Sequence, residues 1–116
     1  MSRIHLKRAY ETPSADDGVR ILVDRLWPRG VTREKAKIDA WVKEIAPSNE
    51  LRKWFGHDPE LWAEFRKRYH AEFIKNAEAA SALREAMKGH KVVTLLYAAK
   101  DEEHNNAVAL KGFLEK

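Results

Sequence analysis

Apolar and polar positions alternate at the start of the chain. In RIHLKRAY, Ile4 and Leu6 stand against His5 and Lys7, the two-residue period of a strand with one covered face. ETPSADDG is punctuation: Pro13, Ser14, two acids and Gly18. In VRILVD the apolar residues Ile21, Leu22 and Val23 are consecutive, as in a strand covered on both faces. The link between the two strands is only about eight residues, whereas a parallel crossover usually takes a dozen or more. The expectation is that they run antiparallel, or that the first strand lies at an edge.

Beyond Gly30 the period changes to short helical pieces. Thr32 can cap one start and Asp39 another, and Pro47 ends DAWVKEIA. Ser48 can cap NELRKWF, with Gly56 as its stop. HDPELW is the clearest start signal, with Asp58 as cap, Pro59 at the first helical position and Glu60 in the first turn. From Trp62 to Met87 apolar residues recur every three or four positions, which predicts an amphipathic helix, bent or broken near Asn76 and ended by Gly89. KVVTLLYAA is a β-branched, apolar strand, and Ala107, Leu110 and Leu114 form the stripe of a last helix.

This order predicts an α/β fold over a single domain, residues 1–116: a small sheet with a parallel central strand pair, 19–24 and 91–99, joined by a helical crossover, helices packed on the sheet. Parallel strands end on one edge, where open sheets bind ligands. Composition narrows the class. With 44% hydrophobic residues and mixed charges, the chain is globular rather than disordered. No apolar run approaches a membrane span, and MSRIHLKRAY lacks a signal core, so a cytoplasmic location is expected. The absence of cysteine excludes disulfides, thiolate nucleophiles and sulfur-based zinc sites. A net charge of +4 suits anionic metabolites or nucleic acid.

Two loops concentrate the candidate chemistry. In DRLWPRGVTRE, Asp24 stands where a buried run exits, Trp27-Pro28 stiffens the turn, and Arg25 and Arg29 can grip a carboxylate or phosphate. The bland alternative is an Asp–Arg structural pair with Trp27 plugging the core. The other strand runs into Lys100, Asp101, Glu102, Glu103, His104, Asn105 and Asn106. Were a helix to start near Asp101, then Asp101, His104 and Asn105 would share one face, a carboxylate beside an imidazole as acid/base chemistry wants. The same acids also suit a helix N-terminus, and without a glycine this loop is no phosphate cradle. In WFGHDPELW, His57 and Asp58 admit a metal reading with His104, but no two histidines have helix-ligand spacing, and no metal site is expected.

VDRLWPRG, WFGHDPE and LLYAAKDEEHNNA, in that order, resemble the short, YeaO-like members of domain-of-unknown-function family 488, and the resemblance spans essentially the whole chain. It implies a small bacterial or archaeal cytosolic α/β protein and supplies no activity. Longer members often end the second strand in cysteine, where this chain has Tyr97, so a thiol mechanism does not carry over. Any likeness to rhodanese or phosphatase loops is topological only.

The polar residues gather at two strand ends, which favours a pocket. The leading expectation is a protein that binds or processes a small anionic, nucleotide-like or phosphorylated ligand. Arg25, Arg29, Lys100, Asn105 and Asn106 would bind it, and Asp24, Asp101 and His104 would handle protons. As an enzyme it would be a metal-independent hydrolase or transferase, and the residues name no cofactor. The alternative is a nucleic-acid-binding accessory protein using Arg25–Lys37 and Arg66–Arg68, and a third reading is a partner-binding surface rich in tryptophan. The first strand would allow dimer pairing across an edge, but no residue demands it.

Overall fold

A computed structural model describes residues 2–115. Its centre is a four-stranded, all-parallel sheet in the order β1-β4-β2-β3, formed by β1 (Arg3–Arg8), β2 (Val19–Leu22), β3 (Ala40–Trp41) and β4 (Val92–Tyr97). Around it lie α1 (Arg33–Ala36), α2 (Asn49–Phe55), α3 (Trp62–Lys75), α4 (Ala77–Met87) and α5 (Asn106–Leu114). The fold is α/β, and β2 and β4 are the central parallel pair, with Ile21 opposite Leu95.

Of the two arrangements expected for the first strands, the edge position is adopted and the antiparallel one is not. β4 lies between β1 and β2, and both run parallel to it. A ten-residue link at ~3.3 Å per residue reaches ~33 Å, ample to return along a short strand without a helix. Residues 9–18 do this through a turn at Ala9–Tyr10, where the Glu11 N–H donates to the Arg8 carbonyl at 3.0 Å, and a 3₁₀ turn at Ala15–Asp17 closed by a reciprocal Ser14–Asp17 capping box. Side chains tie the link to the sheet. Thr94 Oγ1 donates to the Asp17 carbonyl at 2.7 Å, Lys7 Nζ reaches Asp17 Oδ1 at 3.0 Å, and the buried Arg20 donates through Nη1 to Asp17 Oδ2 at 2.6 Å.

The sheet is covered on both faces, which is why β2 and β4 read as unbroken apolar runs. One face carries Ile21, Val23, Val93 and Leu95 and packs against Phe55, Phe65, Tyr69, Leu83 and Leu110 from α2 to α5. The other is thinner: Leu22 and Leu96 meet Ala9, Ala36 and Ile38, with Trp27 and Val31 alongside. Each fully buried leucine or isoleucine contributes about 1.5–3 kcal/mol.

Three local expectations are corrected. DAWVKEIA is not a helix: Asp39 receives the Arg20 N–H on its side chain at 2.9 Å, Ala40–Trp41 add a strand beside β2, and Lys43–Ile45 form one 3₁₀ turn. Asp58 caps a 3₁₀ turn at Pro59–Leu61, and α3 follows from Trp62. The last helix begins at Asn106 rather than near Asp101, with Asn105 as its cap. The break near Asn76 is present: Asn76 caps α4, and its amide donates to the Glu44 carbonyl at 2.9 Å. No helix among the described residues is long and apolar enough to cross a membrane.

Candidate ligand-binding cleft

β2 and β4 are neighbours, but their continuations leave to opposite faces. The chain after β2 supplies Trp27, Val31 and Ile38 to the thin layer, whereas α5, after β4, supplies Ala107 and Leu110 to the helical layer. Loops that diverge from adjacent parallel strands leave a crevice between their C-terminal ends. A cleft of about 340 Å³ opens there, within the size range of small-molecule sites.

The cleft contains the half-buried Asp24. Asp24 Oδ2 accepts the Ala98 N–H at 2.9 Å, and Oδ1 accepts the Asn106 amide at 3.1 Å. Asn106 also donates to the Val23 carbonyl at 3.1 Å, so one side chain ties the start of α5 to the end of β2. Burial pushes the Asp24 carboxyl above its ordinary range; the Ala98 and Asn106 hydrogen bonds and the nearby His57 and Arg52 charges oppose that without cancelling it. Asn105, buried beside it, accepts the Val108 N–H at 3.0 Å and donates to the Asp101 carbonyl at 2.9 Å. Capping by Asn105 and the tie from Asn106 to the end of β2 together explain two poor helix formers in succession.

Three guanidinium groups face the cleft. Arg25 is partly committed, donating to the carbonyls of Ala46 at 3.1 Å and Pro47 at 3.3 Å. Arg29 is exposed on the rim, and its carbonyl accepts the Tyr10 hydroxyl at 3.0 Å. Arg52 sits one turn into α2, whose first residues are anchored where the Ser48 N–H and hydroxyl donate to Glu72 of α3 at 2.8 and 2.6 Å. Among the described residues, its one side-chain hydrogen bond is a long 3.5 Å contact to Asn49. His57 completes the polar lining from a left-handed conformation, φ 58°, directly after Gly56 at φ 52°. A non-glycine residue held there stores strain of the kind that collects at functional sites. The rest of the wall is flat and apolar. It includes Tyr10, Pro28 and Trp27, whose indole N–H donates to the Val31 carbonyl at 2.6 Å and whose ring meets Trp41 edge-on at 5.3 Å.

The site residues expected from sequence therefore separate. Asp24, Arg25, Arg29, Asn105 and Asn106 line the cleft, whereas Lys100, Asp101 and His104 do not. Asp101 and His104 do meet, at 3.0 Å between Oδ2 and Nδ1, but in a turn rather than on a helix face. Asp101 Oδ1 accepts the N–H groups of Glu103 and His104, and the Glu103 hydrogen bond leads in holding its carboxyl below the ordinary range. The His104 ring packs edge-on against Trp62 at 5.4 Å. Lys100 is exposed. Of the second basic segment, Arg68 is paired with Glu64 at 2.9 Å and stacked 4.1 Å from the Trp54 ring centre. Among the described residues, no three acidic or histidine side chains converge to hold a metal ion.

A family model described as "Inactive DUF488-N3 subclade" matches residues 3–116. The chain belongs to this DUF488 subclade. Among its relatives are the uncharacterized protein YeaO of Escherichia coli, 42% identical over 111 residues that cover 96% of each chain, and the uncharacterized protein Rv3073c of Mycobacterium tuberculosis. Rv3073c is 38% identical over 113 residues, 97% of this chain and 94% of the relative, as is Mb3100c of Mycobacterium bovis. No solved structure matches. The YeaO-like resemblance read from the three motifs is thus shown. In this DUF488 chain the β4 terminus carries Tyr97, buried, with burial raising its phenol pKa, and there is no thiol.

Sequence reading of this DUF488 chain missed Arg52 and His57 as cleft residues. In NELRKWF Arg52 is one of two adjacent cations with nothing to set it apart, and the sequence offers His57 only a metal-ligand reading. The available signal was Gly56 before His57, because a glycine stop followed by a polar residue and a helix cap marks a tight reversal that projects side chains off the helix end.

Proposed function

We propose that this chain binds a small anionic, nucleotide-like or phosphorylated ligand in the cleft between the ends of β2 and β4. The observation that carries the reading is charge convergence: among the described residues, Arg25, Arg29 and Arg52 share one small cleft with a single carboxylate, Asp24. Arg29 and the outer part of Arg52 have donors to spare, and guanidinium forks match carboxylate and phosphate oxygens. The aromatic and proline walls suit a planar ring.

Binding is favoured over turnover for two reasons. Asp101 and His104, the acid–base pair of an enzymatic reading, do not line the cleft. The matching family model is also described as an inactive subclade.

The test is a thermal-shift panel of nucleotides, sugar phosphates and organic acids, followed by titration of hits against Arg29→Ala and Arg52→Ala. A ligand at about 100 times its Kd should raise stability by ~2.7 kcal/mol, about 10 °C for this chain length. Both variants should keep the wild-type melting temperature and lose most of the shift. Silence across the panel, with salt-sensitive binding of a single-stranded oligonucleotide instead, would replace this reading with the nucleic-acid one.

A further inference from the structure

A carboxylate is the wrong group to place in a cleft made only for an anion, because it repels the ligand that the arginines attract. Asp24 is nonetheless held there with care. Its two oxygens each accept one bond from the protein, from Ala98 N–H at 2.9 Å and the Asn106 amide at 3.1 Å. Those partners come from the end of β4 and the start of α5, and Asn106 is itself fixed by the Val23 carbonyl. A carboxylate offers about four acceptor positions, so each oxygen of this cleft-lining residue keeps acceptor capacity. Among the described residues, none of the three arginines in the cleft forms an ion pair with it. The negative charge is oriented but not used up.

We infer that Asp24 is the specificity-determining residue of the site, and that the ligand is a mononucleotide whose base offers two adjacent N–H donors, as guanine does through N1–H and its exocyclic amine. This rests on the binding reading above. Two donors side by side match the two oxygens of one carboxylate. Tyr10, Trp27 and Pro28 supply flat walls for the base, and Arg29 and Arg52 stand at the same cleft for the phosphate. Adenine, with an acceptor at N1, leaves one Asp24 oxygen facing a lone pair and is rejected.

The experiment is isothermal titration of the full chain with guanosine monophosphate, adenosine monophosphate, the N1-methylated guanosine monophosphate and ribose 5-phosphate. The guanine nucleotide should bind about tenfold or more tightly than adenosine monophosphate and than its N1-methylated form. Asp24→Asn should bring the guanine and adenine nucleotides to within about twofold and bind ribose 5-phosphate no more weakly than wild type does. The methylated ligand decides the matter on wild-type protein if the variant does not fold. Equal affinity for all three nucleotides, or a guanine preference that survives in Asp24→Asn, overturns this inference and leaves the anion-binding reading standing. Failure of every ligand to bind, ribose 5-phosphate included, overturns both.

Discussion

Gly18 follows the 3₁₀ turn and immediately precedes β2, with φ 64° and ψ −140°. A Cβ there would lie 2.6 Å from the carbonyl carbon of Val92 and 2.9 Å from its Cβ, and closer still to the Val92 carbonyl oxygen. These are backbone and branch-point atoms, which cannot swing aside, so Gly18→Ala must displace either the link or β4. Holding a non-glycine residue in this region costs about 1–3 kcal/mol, and forced overpacking costs roughly another 1–3 kcal/mol. The central sum is about 4 kcal/mol, a large part of the ~5–15 kcal/mol by which a domain is stable. At about 4 °C per kcal/mol for this length, the melting temperature should fall by roughly 16 °C. Gly89 is the control, because it also has positive φ, 83°, but nothing within 4 Å of a built Cβ. Gly89→Ala meets only the backbone term, partly offset by a less flexible unfolded chain, and should cost about 1 kcal/mol or less. Thermal unfolding followed by circular dichroism compares the two. Melting temperatures within about 4 °C of each other would refute the close passage of the link over β4.

Arg25→Ala should destabilise by about 1–2 kcal/mol, because it leaves the Ala46 and Pro47 carbonyls without a donor, whereas Arg29→Ala should stay within about 0.5 kcal/mol in the same urea titration. Tyr69→Phe removes the 2.6 Å bond from the buried hydroxyl to the Ile45 carbonyl and should cost about 1–3 kcal/mol, with an unchanged circular dichroism spectrum. Asp24 gives a pH signature. Its folded pKa is raised by burial, so its contribution to stability is fully present below the unfolded pKa and lost as pH rises through the folded value. The melting temperature of Asp24→Asn minus that of wild type should therefore grow as pH rises from about 4. Asp17, Asp101 and Glu64, whose pKa values are lowered, act in the opposite direction in both proteins and cancel in the difference. A difference that is flat or shrinks with pH contradicts the raised value.

The family, the α/β class and the central parallel pair were legible in the sequence because they rest on signals that neighbouring residues carry. A doubly covered strand must be apolar throughout, and the caps at Thr32 and Ser48 satisfy N–H groups within three residues of themselves. That β2 and β4 share a C-terminal edge, and so place Asp24, Asn105 and Asn106 together, followed from the same reasoning. Other features only the tertiary structure decided. β3 is two residues long and exists because Val42 N–H finds the Leu22 carbonyl and Asp39 the Arg20 N–H, and two residues have no period to read. The route of residues 9–18 depends on Thr94, 77 positions away from Asp17, and on the room that Gly18 leaves beside Val92. Asp101 gave an ambiguous local signal, since an acid three residues before a histidine fits both a helical face and a turn. The choice fell to Asn105, buried against the sheet, which takes the cap and starts the helix one residue later. Arg52 and His57 reach the cleft because Glu72 holds the start of α2 and Gly56 turns its end. Local chemistry thus determined the long strands and helices and their caps, and packing between distant segments determined β3, the route of residues 9–18 and which side chains meet.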